Sequence, residues 1–359
     1  MDINRDIQRW RLANQGIAEA VAKSPAEVVE SLGAVQAQDY LGSLWAFGLR
    51  LPSVTETIVE QAIIERAILR TWPMRGTLHF VRSADVRWML DLLTPRIIAR
   101  RAFTDRQFGI DSKMLARSEK LFVNALRGDK QLPREKMYEL LESASISTAA
   151  QRGLHIVGRL AMEGLLCFGA RNGKQQTFAL LDEWAPSAKR LERNEALAQL
   201  ALRYFRGHGP ATLQDFAWWS GLTMSDARAG VESVAAQLAK ETIDGEIYWL
   251  PESGLVPRNR QNRCYLLPSY DEYLVGYKNR QAALAPEHHG AVFPGNMFNA
   301  VIVIGGRVQG TWKRTVAKDR AIVTSKLFGR SDREAQRALT TVVKRYGVFL
   351  GVPAQIPGD

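Results

Sequence analysis

The chain has 359 residues, 46% hydrophobic and 24% charged, ordinary proportions for a soluble globular protein and a length that calls for more than one hydrophobic core. With 28 Gly and 14 Pro, composition excludes an intrinsically disordered or collagen-like chain. Lys and Arg number 48 against 37 Asp and Glu, a formal net charge of +11, and this directs attention to polyanionic partners.

The charge is unevenly placed. Residues 87 to 134 carry 11 Lys or Arg against 5 acidic residues, and residues 300 to 347 carry 11 against 3. The rest of the chain is close to neutral, so the excess is either a footprint for a polyanion or two solvated basic faces. No run of about 18 uncharged apolar residues occurs, and the amino terminus MDINRDIQRW lacks the apolar stretch of a signal peptide, so no membrane association is expected. Cys167 and Cys264 lie far apart in apolar surroundings and read as reduced core thiols rather than a disulfide or a metal site.

In chain order, residues 1 to 90 predict helices around Ile7 to Asn14, Pro25 to Gly33 and Glu56 to Glu65. The extended segments LRTW and GTLHFV follow, turning at Pro73 to Gly76. Residues 91 to 185 predict an amphipathic helix in KMLARSEKLFVNALRG, a second in LPREKMYELLESA opened by a proline suited to a first turn, and a third in TAAQRGLHIVGRLAMEG. The strands LLCFGA and QQTFALL then turn at Arg171-Asn172-Gly173-Lys174. Residues 186 to 262 repeat the plan: a helix ending at His208-Gly209-Pro210, one capped by Thr212, one in MSDARAGVESVAAQL, then AKETI and EIYWL around Asp244-Gly245. Residues 263 to 359 alternate apolar and polar in CYLLPSYDEYLVGY, NAVIVIGGRVQGTWKR and AIVTSKLFG, before a helix from Asp332 to Tyr346 bearing Arg333, Arg337, Lys344 and Arg345. Three helices and a β-hairpin compose a winged helix. The expected fold is therefore α+β, with three tandem winged-helix motifs and a carboxy-terminal β-rich domain.

Four segments add a family resemblance. LGAVQAQDYLGSLWAFGLRL, ILRTWPMRGTLHFVRSADVRWML, LLPSYDEYLVGYKNR and GGRVQGTWKR resemble, in the same order, the signature blocks of the AlkZ-like winged-helix DNA glycosylases. The resemblance implies three winged helices forming a C-shaped clamp around duplex DNA, and a Gln-x-Gln catalytic motif with an apolar middle residue. Here that motif reads Gln36-Ala37-Gln38, the Gln form rather than the form with Asp in the second place.

The chemistry of two amides is restrictive. Gln36 and Gln38 share a side only in an extended or turn segment, expected here beyond a helix broken near Gly33. An amide is no strong base, but its carbonyl oxygen accepts from water while its NH2 donates to a phosphate or sugar oxygen. Such a site suits a leaving group that is already cationic, as an N7-alkylated guanine is, and suits an undamaged nucleotide poorly. The alternative is that both glutamines cap backbone groups.

Around the motif, Arg70, Arg75 and Thr77 are candidate phosphate contacts. His79 either points into the groove or is a satisfied core histidine. Arg100 and Arg101 in the first basic window, and Lys313 and Arg314 on a hairpin after Gly305-Gly306, are further candidate DNA contacts. The hairpin is equally compatible with a plain solvated one. Asp39 and Tyr270 are supporting candidates, and Asp271 either orients a glutamine or water or caps a turn. Trp72, Trp218 and Trp219 read as core.

The sequence reading is a monofunctional DNA glycosylase for cationic alkylated purines, above all N7-alkylguanine, whether the natural lesion is a simple methyl group, a bulky toxin monoadduct or an interstrand crosslink, in repair or self-resistance. No lysine stands in the motif to form a Schiff base. The expected partner is double-stranded DNA containing alkylated bases. No metal or other cofactor and no obligate protein partner are expected, and the protein is read as a monomer located in the cytoplasm with the nucleoid. The rival reading is a non-catalytic winged-helix transcriptional regulator. A metal-dependent nuclease would want a carboxylate cluster that the sequence does not show.

Overall fold

A computed structural model describes residues 3–252, 263–295, 297–329 and 333–357. They form two compact units, one joining the chain up to Val59 with the chain from Ala198 onward, the other running from Glu60 to Leu197. Among the described residues no helix is long and apolar enough to cross a membrane.

In the Glu60–Leu197 unit, Ile68–Met74 and Thr77–Arg82 pair as an antiparallel hairpin. Its turn needs left-handed backbone at Arg75 (φ 54°) and Gly76 (φ 74°), which costs glycine nothing. The strands lie side by side in the order Thr77–Arg82, Ile68–Met74, Leu166–Phe168, Thr177–Leu180, Leu132–Pro133. Helices Ser112–Leu126, Arg134–Ser143 and Arg152–Met162 bury Phe122, Met137 and Ile156 against Trp72, Phe168 and Phe178. The Trp72, Phe168 and Phe178 rings follow one another at 5.1 and 4.7 Å, each contact worth about 0.5–1.5 kcal/mol beyond its area. Helix Ser112–Leu126 starts where the Asp111 carboxylate accepts from the Met114 N–H.

In the other unit, helix Leu213–Ser220 begins with a reciprocal capping box between Thr212 and Asp215. Helix Met224–Val234 and the hairpin Leu238–Ile243 with Glu246–Pro251 follow. The carboxy-terminal sheet runs Ala354–Gln355, Ala321–Leu327, Arg307–Val316, Val301–Ile304, Cys264–Leu267, antiparallel except for the parallel pairing of Ala354–Gln355. Helix Arg333–Leu350 buries Tyr346 and Phe349 against Trp45, the rings 4.9 and 5.1 Å away. The Trp45 indole N–H donates to the Leu266 carbonyl at 2.7 Å.

The mixed α+β class and the curled carboxy-terminal sheet agree with the sequence reading. Tyr40–Arg50 is a helix that the reading had not predicted: its apolar residues run nearly all round, so no polar face marks it. The last helix continues to Leu350, while its expected first residue, Asp332, lies outside the described residues. Both thiols are buried, and burial pushes the Cys264 thiol up to about 12. Trp218, expected in the core, is 44% exposed with the Arg280 guanidinium 5.5 Å from its ring, because helix Leu213–Ser220 turns Trp219, not Trp218, inward.

Candidate active site

The Gln36-Ala37-Gln38 segment lies between a helix stop and a helix start. Helix Pro25–Leu32 opens with Ser24 as N-cap and Pro25 in its first turn, and ends at Gly33 with φ 79°. A Cβ on Gly33 would lie 3.1 Å from the Trp219 ring, a tight contact, and the left-handed backbone angle favours glycine there. Two residues of strand follow, Val35–Gln36. Asp39 then caps helix Tyr40–Arg50, its carboxylate accepting from the Gly42 N–H at 3.1 Å. A Cβ on Gly42 would sit 2.4 Å from Asp39 Oδ2, so a side chain there would push the capping carboxylate aside. Gln36 is 7% exposed and Ala37 is buried, whereas Gln38 is exposed. The motif thus rises from the core to the surface within three residues.

Beneath it lies a carboxylate that the sequence reading missed. Glu272 is 1% exposed; its Oε1 accepts from the Gln36 backbone N–H at 2.8 Å. Its Oε2 accepts from the Trp219 indole N–H at 2.9 Å and lies 3.3 Å from His208 Nε2. His208 stacks on Tyr204, ring centroids 4.7 Å apart. The available signal was an acidic pair, Asp271-Glu272, inside an apolar block, which does not tell which acid caps the turn and which bonds elsewhere.

Asp271 caps the four-residue helix Glu272–Val275, accepting from the Tyr273 N–H at 2.9 Å. It also pairs with buried Arg50 in a bidentate fork of 2.9 and 3.0 Å. Arg50 uses all five N–H groups: two on Asp271, two on the carbonyl and side-chain oxygens of Gln15, and one on the Ala46 carbonyl. Tyr270, half-buried, adopts φ 63°, a conformation uncommon for an aromatic residue, with its ring 5.3 Å from Phe298. Arg314 reaches Asp39 at 3.5 Å, and Lys313 beside it is exposed.

The remaining candidates lie in the Glu60–Leu197 unit. Arg70 is buried over the Phe168 ring at 4.7 Å, and the Thr77 hydroxyl donates to the Met74 carbonyl. Arg75 is half-buried and Arg100 exposed. Arg101 contacts His155 Nδ1 at 2.9 Å; burial and the Arg101 charge hold His155 below its ordinary value. His79 is fully buried with Nδ1 3.0 Å from the Thr77 carbonyl, which corrects its candidacy as a DNA contact. The physical reason is that Leu78 through Val81 are all buried: the strand is covered on both faces, so alternation left no open side for the histidine.

A family model described as DNA glycosylase AlkZ-like matches residues 29–349. The Interstrand DNA cross-link repair glycosylase of Streptomyces sahachiroi is 28% identical over 337 residues, covering 86% of this chain and 87% of that protein. The solved structure of the Streptomyces sahachiroi DNA glycosylase AlkZ superposes with a TM-score of 0.80 at 24% identity, over 98% of each chain. With the Gln36-Ala37-Gln38 motif, the Asp39 cap and the Glu272 carboxylate inside the matched span, the chain belongs to the AlkZ-like DNA glycosylase family.

Proposed function

We propose that this DNA glycosylase hydrolyses the N-glycosidic bond of cationic alkylated purines in duplex DNA, N7-alkylguanine above all, with Gln36 and Gln38 placing the attacking water. The observation that carries the reading is the Gln36-Ala37-Gln38 segment fixed between Gly33 and the Asp39 cap and bonded to buried Glu272. Two amides orient water and leave the departure of the base to its own charge. As the bond from C1′ to N9 breaks, its electron pair flows into the purine and neutralises the N7 cation. Water oxygen bonds to C1′ and its proton passes to solvent. The three segments of helices plus hairpin act as winged helices gripping DNA, without metal or nucleotide cofactor. Interstrand crosslinks joined through N7 belong to the same chemical class, which accords with the name of the 28% identical relative.

In single-turnover assays, duplexes bearing 7-methylguanine are expected to release base, while matched duplexes bearing uracil, 8-oxoguanine or O6-methylguanine are expected to stay intact. Excision of uracil or 8-oxoguanine would sink the reading, since it needs an acid to activate the leaving group. Gln36→Ala and Gln38→Ala are each expected to lower the rate of 7-methylguanine release by roughly 10² fold while DNA affinity stays within a few fold. Full activity in both variants would remove the glutamines from the reaction.

A further inference from the structure

We propose that Glu272 is a positioning residue of this reaction, its carboxylate fixing the Gln36-Ala37-Gln38 segment through the Gln36 N–H. The inference rests on the reading of the two glutamines given above. Burying a carboxylate costs several kcal/mol in desolvation, and an apolar side chain of similar volume is commonly as stable or more so. A carboxylate bonded directly to the backbone of the catalytic motif therefore calls for a reason beyond stability.

The donors around it leave no substitute. A backbone N–H and an indole N–H can only donate, and they approach different oxygens of Glu272, at 2.8 and 2.9 Å. Both oxygens must accept, which a carboxylate does and a carboxamide does not. His208 accords with this: among the described residues, its buried Nδ1 has no hydrogen-bond partner. The tautomer with its proton on Nε2 is the one that uses its N–H, donating to Glu272 and leaving the negative charge there. The motif is tethered at three points within seven residues: Gly33 against Trp219, Gln36 on Glu272, and Asp39 capping the next helix. Trp219 takes part in two of these, so the Glu272 carboxylate sets the depth at which the Gln36 backbone lies.

Glutamine at 272 puts an NH2 group against one N–H in either orientation, and aspartate draws the carboxylate back by one methylene. Either change releases Gln36 by a fraction of the length of a hydrogen bond, and displacements of about 1 Å from productive geometry cost on the order of 10² fold in rate.

The test uses the full chain in excess over a 7-methylguanine duplex, at saturating protein. Under these conditions the observed rate reports bound molecules only, so partial unfolding lowers amplitude or apparent affinity and not the rate. Glu272→Gln and Glu272→Asp are expected to lower the rate by about 10² fold with DNA affinity within a few fold. Tyr273→Phe removes the neighbouring hydroxyl bond to the Gly306 carbonyl and serves as the structural control. It is expected to lower the melting temperature and keep the rate within a few fold of wild type. A wild-type rate in both Glu272 variants, or an equal rate loss in Tyr273→Phe, overturns the proposal. If Gln36→Ala and Gln38→Ala keep the full rate, the reading of the glutamines has failed; if they lose it while both Glu272 variants do not, only the positioning role has failed.

Discussion

Raising salt from about 50 to 200 mM is expected to lower affinity for duplex DNA by about 10³ to 10⁵ fold, the loss that neutralising on the order of 6 to 10 phosphates produces through counterion release. The expectation comes from the two basic windows, which supply 11 Lys or Arg each. The first lies on helices Val86–Gln107 and Ser112–Leu126, the segment after them and the first residue of helix Arg134–Ser143; the second lies on strands Arg307–Val316 and Ala321–Leu327, the turn between them and helix Arg333–Leu350, with Arg330 outside the described residues. Exposure sorts the candidates within them. Arg100 and Lys313 are exposed, whereas Arg101 is engaged with His155 and Arg314 with Asp39. Arg100→Glu and Lys313→Glu should weaken binding to all duplex sequences alike, because phosphate contacts carry no base information. Fluorescence anisotropy across a salt series checks both points, and a nearly flat salt dependence would remove phosphate neutralisation as the source of affinity.

Asp271→Ala is expected to destabilise the unit containing the motif by about 3–5 kcal/mol, the usual cost of leaving a buried charge without its partner. Arg50 and Asp271 are both buried and form a bidentate pair, and removal of Asp271 also uncaps the Tyr273 N–H. By the size scaling of melting temperature, the loss amounts to roughly 10 °C. Replacing both residues, as Arg50→Met with Asp271→Leu, should recover a large part of it, since the double variant leaves no charge uncompensated. Melting followed by tryptophan fluorescence is an apt probe, because Trp45 packs in the same core. An Asp271→Ala variant that melts with wild type would mean the pair contributes nothing net.

Both expectations build on features visible at different depths in the sequence. Caps and turns were legible because their causes are local: Thr212 and Asp215 close a capping box three residues apart, and Asp244-Gly245 makes a hairpin turn from its own φ preferences. The helices and hairpins between 113 and 251 followed from apolar periodicity, which needs no partner to be read. Helix Tyr40–Arg50 escaped because burial on all sides erases that periodicity.

For the candidate site, the sequence by itself determined the two candidate glutamines and the glycine that ends the preceding helix. Tertiary structure alone decided what lies underneath. Glu272 meets Gln36 across 236 positions of chain, Asp271 meets Arg50 across 221, and Trp219 meets Glu272 across 53. Adjacent acids such as Asp271 and Glu272 look alike in a sequence, and the helical turn that they open sends one to Arg50 and the other to the motif. His79 shows the same limit from the other side: alternation fixed which neighbours it opposes, but whether that second face meets solvent or protein depends on what packs there. Hydrogen bonds of fixed short range within one element are set by spacing, whereas the partner of a buried charge is set by which distant segments the core brings together.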